Sequence, residues 1–210
     1  MRTRLVFVRH GESVHQVEGF VGGPHGCRGL TDLGRDQARK LAGRLAVRFA
    51  ADRPEAVYSS VLRRAVETAQ PIADAFGVRP VADCGLCTWH TPPYADGLPT
   101  ARFQAEHAAP GGGVYRPFEQ GNESWAELLI RVSRAITEIA QRHRGSTVVL
   151  VGHSETVESA FHALGAQPLF RAFDLDVAPA SITEWTTEDD TTTWPPARWT
   201  LRRFNDTNGV

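Results

Sequence analysis

Three short stretches of this chain carry nucleophilic nitrogen and fixed positive charge at spacings that suit phosphate chemistry. The first is Arg9-His10-Gly11-Glu12. A neutral imidazole titrates just below pH 7 and is a nucleophile near neutrality. Arg9 presents a planar fork of donors that matches phosphate oxygens, and Gly11 leaves room beside the ring. The second stretch is Ser59-Ser60-Val61-Leu62-Arg63-Arg64-Ala65. An arginine in the first turn of a helix shares an anion with the positive helix end. Arg63 and Arg64 lie on different faces, so only one of them enters a site. The third is Val149-Leu150-Val151-Gly152-His153-Ser154-Glu155, in which His153 follows an apolar run and can donate to a phosphate oxygen. Singly, each stretch has a plain structural explanation: a strand-end histidine, a surface charge pair, a capping histidine.

The elements around these residues decide whether they can meet. Apolar runs predict strands at Arg4 to Val8, Ala56 to Tyr58, Val78 to Ala82 and Thr147 to Val151. Helical spacing predicts helices from Thr31 or Asp32 to about Ala51, with Leu33, Ala38, Leu41, Leu45 and Phe49 on one face, and from Ser59 toward Phe76. Further helices are expected over Ser124 to Arg142 and after His153 to about Leu164. Two late runs, Ser181 to Thr186 and Arg198 to Arg203, read as a hairpin, and the tail from Asn205 as frayed. Strands alternating with helices imply a three-layer α/β/α sandwich with a mostly parallel central sheet. We expect one domain over residues 1–210. Its segment 84–121, rich in proline, glycine and aromatics, reads as a loop-rich insertion over the site with one short helix near Thr100 to His107. Ligands of such sheets bind beyond the carboxyl ends of strands, where His10 and His153 both fall.

Composition narrows the function classes. The chain has 210 residues and a formal net charge of −1, so neither nucleic acid nor an anionic membrane surface is expected as a bulk partner. Any anion affinity must be local. The apolar run Leu5 to Val8 is too short for a signal-peptide core, and no stretch is long enough to span a bilayer, which makes the cytoplasm the expected location. Three cysteines do not suggest a disulfide framework. Cys84 and Cys87 form a C-x-x-C pair, but without a second pair there is no four-ligand zinc site, and two small semi-buried side chains are the simpler reading.

Taken together, the motifs resemble the histidine phosphatase superfamily in its phosphoglycerate-mutase-like branch, along nearly the whole chain. Arg9-His10-Gly11-Glu12-Ser13 resembles the family's R-H-G-E-[ST] signature, and Leu30-Thr31-Asp32-Leu33-Gly34 its L-T-x-x-G helix start. Tyr58-Ser59-Ser60 through Arg64-Ala65 and Thr68-Ala69 is similar to its Y-S-S-x-L-x-R-A-x-x-T-A run. Gly121 to Ser124 resembles its G-E-S helix start with Asn122 inserted, Val151 to Ser154 its second histidine motif, and Leu201 to Thr207 its closing strand. The resemblance implies a metal-independent phosphatase, without cofactor, that hydrolyses a small organic phosphate monoester through a phosphohistidine on His10. It implies that Arg9, Arg64 and His153 line the phosphate pocket, with Ser13, Gln16 and Ser154 contributing to substrate binding. No metal is expected; a homodimer is left open.

Three departures from the pattern matter. Gln16 stands where the family usually has asparagine, and Ser154 follows His153 where it usually has glycine. Thr88 stands where members place a glutamate that protonates the leaving group, and a threonine is no acid near pH 7. Among substitutes, Glu155 ranks first, two residues past His153, and Asp96 second, in a turn resembling the family's W-E-G-L. His90, Glu106, Glu119 and Glu123 follow. Two other functions compete. A phosphomutase would return the phosphoryl group to a similar molecule, but mutase relatives look longer, with a tail over the site. A phospho-ligand-binding protein with weakened catalysis would explain Thr88, but not the retention of Arg9, His10, Arg64 and His153.

Overall fold

The computed structural model describes residues 2–170 and 173–209. In chain order its strands are β1 (Thr3–Arg9), β2 (Ala56–Ser59), β3 (Pro80–Ala82), β4 (Thr147–Gly152), β5 (Ile182–Thr187) and β6 (Thr200–Asp206). Its helices are α1 (Val14–Glu18), α2 (Asp32–Arg48), α3 (Arg63–Phe76), α4 (Thr100–Glu106), α5 (Trp125–Arg142) and α6 (Ser154–Ala163).

β1 reads as an unbroken apolar run because both of its faces are covered. Leu5 and Phe7 face a core built with α5 and α6, while Val6 and Val8 face a second core built with α2 and α3. The sheet order is β3-β2-β4-β1-β5-β6, parallel through β3, β2, β4 and β1 and antiparallel at β5 and β6. This is the expected three-layer sandwich with a mostly parallel sheet. Among the described residues no helix is long and apolar enough to cross a membrane.

Helix boundaries follow their caps. The Thr31 side chain accepts from the amide of Gly34 and starts α2. Ser124 and Glu127 form a reciprocal capping box at α5. α3 starts at Arg63, later than the sequence pattern suggests, because Ser59 completes β2 and Leu62 stays extended. α2 ends at Arg48, and Leu33 on its first turn is 53% exposed rather than part of the core. β3 begins only at Pro80, after Gly77 closes α3 in a left-handed turn. The short α1 has no apolar periodicity to announce it. The segment from Asn205 is not frayed at its start: β6 runs to Asp206, and the Asn205 side chain bonds the amide of Ala178 and the carbonyl of Asp176.

Candidate active site

β1 and β4 pair in parallel with Arg9 opposite Gly152, so the next residue of each, His10 and His153, leaves the sheet at the same level. The His10 amide donates to the Gly152 carbonyl at 2.9 Å, and the two imidazole rings sit edge to face with centroids 5.1 Å apart. Both side chains are almost fully buried.

His10 Nδ1 lies 2.7 Å from the Gly11 carbonyl oxygen. That oxygen only accepts, so Nδ1 carries the proton and Nε2 keeps its lone pair. Arg64, the second residue of α3, brings its Nε to 3.2 Å from that Nε2. Its Nη1 is held by the Gly22 carbonyl at 2.8 Å and by Cys27 Sγ at 3.3 Å. Burial, then the Arg64 charge, pushes the His10 pKa well below its usual value, and the same two causes act in the same order on His153. Both rings are therefore neutral at physiological pH. Arg63, its neighbour in sequence, points outward and pairs with Glu67 at 2.6 Å.

Gly11 has a structural role rather than one in making room for substrate. A Cβ there would sit 2.6 Å from the Gly34 carbonyl oxygen, and one on Gly34 would sit 2.0 Å from the Glu12 carbonyl oxygen. The two glycines let the loop after β1 lie directly on the start of α2. Gly152 is likewise demanded by Thr156, whose hydroxyl accepts from the His153 amide at 2.9 Å. His153 Nε2 is 2.9 Å from Ser60 Oγ, at the end of β2.

The remaining predicted residues divide. Arg9 is half-buried, donates to the Val177 carbonyl and feels the charges of Glu155 and Asp176. Ser13 is fully buried and bonds Gln16 Oε1 at 2.8 Å, with His15 Nδ1 at 3.1 Å; Gln16 itself is exposed. Ser154 donates to its neighbour Glu155, which is half-buried in the first turn of α6 on the Arg9 side. Asp96 is committed elsewhere: its carboxylate accepts from the amides of Gly23, His25 and Gly26 at 2.7 to 2.8 Å, so it pins the loop whose Gly22 holds Arg64. His90 and Glu123 pair with each other, and Glu106 pairs with Arg102 on the surface.

Above Arg64 opens a cavity of about 320 Å³. Thr88 and Trp89 form one wall, and Phe20, Phe103 and Phe118 supply apolar surface, with Asn122 and Glu119 at polar positions. Glu119 is the carboxylate among these lining residues. Sequence reasoning missed His15, which lines the cavity with its ring 6.4 Å from that of His10 and its pKa lowered to about 4 by burial and Arg64. Its only signal was proximity to the Arg9-to-Ser13 signature. The aromatic wall had none, because it is assembled from α4 and irregular loops distant in sequence.

A buried neutral imidazole whose Nε2 lone pair accepts from a guanidinium, with a second histidine alongside, supplies the parts that phosphoryl transfer needs. The chain belongs to the histidine phosphatase superfamily (branch 1), whose family pattern matches residues 5–207. Its sequence is 32% identical over 167 residues to phosphoglycerate mutase-like protein 4 of Arabidopsis thaliana, covering 75% of this chain and 69% of that one. It is 30% identical over 173 residues to a metal-independent phosphoserine phosphatase of the same plant, covering 76% and 67%. Its fold is similar to that of a mycobacterial glucosyl-3-phosphoglycerate phosphatase solved with VO3, with a TM-score of 0.78 and 27% identity over 97% of this chain and 99% of that one. The chain is a phosphoric monoester hydrolase that works by way of a phosphohistidine.

Proposed function

We propose that His10 Nε2 is the nucleophile and that the substrate is the phosphate monoester of a neutral, ring-bearing alcohol. In the first step Nε2 forms a bond to phosphorus, the phosphorus–oxygen ester bond breaks, and Glu119 gives its proton to the departing oxygen. In the second, water attacks the phosphohistidine, Glu119 takes a proton from it, and inorganic phosphate leaves with His10 restored. The Gly11 carbonyl stabilises the positive Nδ1–H that develops as Nε2 is phosphorylated. Arg64, Arg9 and His153 neutralise charge on the transferring group. The observation that carries this reading is the parallel register of Arg9 with Gly152, which puts His10 and His153 side by side under Arg64.

The leaving-group preference rests on charge. Arg64 is the one lysine or arginine among the residues lining the cavity, and it faces the nucleophile. The carboxylate of a leaving group such as glycerate, or of zwitterionic serine, would find no second cation among the lining residues; only the serine ammonium has a partner, in Glu119. A sugar or aromatic ring would stack on Trp89 or Phe103 and hydrogen-bond Asn122. Glu119 replaces Glu155 and Asp96 as the acid because it lines the space the leaving group must occupy, whereas Asp96 is consumed by three amides.

A turnover panel tests this. Sugar and aryl phosphates are expected to exceed phosphoserine and 3-phosphoglycerate in kcat/KM by tenfold or more, with no isomerisation of 3-phosphoglycerate. Phosphoserine as best substrate would overturn the substrate class. Turnover by purified His10→Ala would overturn the nucleophile.

A further inference from the structure

We propose that Cys84, Cys87 and His90 form a binding site for a soft divalent metal ion of the zinc type, outside the phosphate pocket. Their ligand atoms all lie within 4.8 Å of one another, and Cys84 Sγ is 3.4 Å from His90 Nε2. Around a tetrahedral zinc ion with bonds of about 2.3 Å to sulfur and about 2.0 Å to nitrogen, a sulfur and a nitrogen ligand sit roughly 3.5 Å apart. The Cys84–His90 edge already has that length, and the other two edges are no longer than 4.8 Å, so occupation asks Cys87 to close in by roughly an ångström at most.

The surroundings are those of a metal-binding histidine. His90 Nδ1 faces Glu123 Oε1 at 3.3 Å, and the Glu123 carboxylate also accepts from the His90 amide at 2.9 Å. A carboxylate on one ring nitrogen fixes the tautomer and turns the other nitrogen's lone pair toward a metal. Glu123 is itself gripped through both oxygens by Arg131, at 2.9 and 2.7 Å. Arg131 also donates to the carbonyls of Cys84, Gly85, Cys87 and Thr88, so the loop that carries the ligands is held in shape from behind. Charge balances as well. Two thiolates and the Glu123 carboxylate are offset by a divalent ion and Arg131, with the two thiol protons released on binding. Cys84 and His90 reach the surface while Cys87 is buried, which leaves the fourth coordination position to solvent.

The site touches the catalytic cavity from behind. Thr88 and Trp89, which line that cavity, lie between the ligands Cys87 and His90. Cys87 Sγ is 3.7 Å from Ser60 Oγ, the partner of His153. An ion here fixes the cavity wall without entering the phosphate pocket.

The test is titration of the reduced, metal-stripped full chain with Co²⁺ and Zn²⁺. We expect one equivalent of Co²⁺ to bind with sulfur-to-cobalt charge-transfer bands and the intense visible bands of tetrahedral coordination, displaced by Zn²⁺. Cys87→Ser and His90→Ala are each expected to weaken Zn²⁺ by 100-fold or more, and Glu123→Gln by 10- to 100-fold. Cys27→Ser, which removes the cysteine outside the cluster, is expected to leave affinity unchanged. His90 is exposed, so its variant folds whatever the role of the buried Cys87. Cobalt spectra without sulfur bands would overturn the proposal. So would binding that survives His90→Ala but is lost in His10→Ala, or thiols that close to a disulfide and bind no metal when reduced. None of these outcomes bears on phosphatase turnover, which His10→Ala tests separately.

Discussion

Arg64 does two jobs at one atom. Its Nε donates to His10 Nε2, which adds to burial in keeping the imidazole neutral, and in the proposed mechanism the same nitrogen meets a phosphoryl oxygen. Its Nη1 is anchored to Gly22 and Cys27, so the guanidinium is already placed when substrate arrives. Arg64→Ala is therefore expected to lower kcat/KM by about 10²- to 10³-fold, the usual cost of one charge-stabilising donor. Arg63→Ala, which removes only an exposed pair with Glu67, is expected to change it less than about twofold. Equal effects of the two would refute the assignment. The leaving-group acid belongs at this scale too. Glu119→Gln is expected to slow alkyl phosphates far more than p-nitrophenyl phosphate, whose anion departs without a proton, while Glu155→Gln leaves the ratio of the two rates near that of the wild type. If Glu155→Gln shifts the ratio and Glu119→Gln does not, the acid comes from α6 instead.

At the scale of elements, the phosphate pocket depends on how closely the loop after β1 lies on α2. Gly34→Ala would drive a methyl group into the Glu12 carbonyl, with backbone on both sides and no flexible end to yield. We expect a loss of about 1–3 kcal/mol, the range for overpacking, together with reduced turnover because Gly11 and His10 move with the loop. Thr31→Ala removes the α2 cap and the hydroxyl's bond to the Glu12 carboxylate but leaves the close approach of Gly34 to the loop in place, and is expected to cost about 1 kcal/mol with turnover largely retained. Chemical denaturation of both variants beside a turnover assay separates the two effects. Normal activity in Gly34→Ala would show that the loop and α2 are not coupled.

For the whole molecule, burying neutral histidines ties stability to pH. His10 and His153 are held well below their usual pKa, and His15 at about 4. In the unfolded chain each takes up a proton near pH 6.5, whereas the folded chain does so only at lower pH. The unfolded state then binds more protons, so stability is complete above about pH 6.5 and falls as pH drops. The almost fully buried His10 and His153 each contribute up to about 1.4 kcal/mol per pH unit between their two pKa values, and the half-buried His15 less, because solvent screens it. We expect the denaturation midpoint to fall from pH 7 to pH 5 in buffers without phosphate, and His15→Phe to shrink that fall. A midpoint flat over this range would contradict neutral buried rings.

What the sequence determined on its own was local or periodic. The runs that became β1, β4 and α5, the start of α2 at Thr31 or Asp32, the start of α5 near Ser124, and the strand-end positions of His10 and His153 were all legible, because backbone propensity and burial patterns act over a few residues. The hairpin of β5 and β6 was legible for the same reason. Tertiary structure alone decided what depends on distant segments meeting. That includes the register of β1 on β4, which makes two strand-end histidines one site. It includes the commitment of Asp96 to the loop at 23–26, the aromatic wall drawn from residues as far apart as Phe20 and Phe118, and the approach of His90 to Cys84 under Glu123 and Arg131. A carboxylate and an imidazole carry the same side-chain chemistry wherever they stand in a sequence. Their roles come from which donors, charges and apolar walls the fold brings within a few ångströms, and that is a property of packing between elements rather than of any one of them.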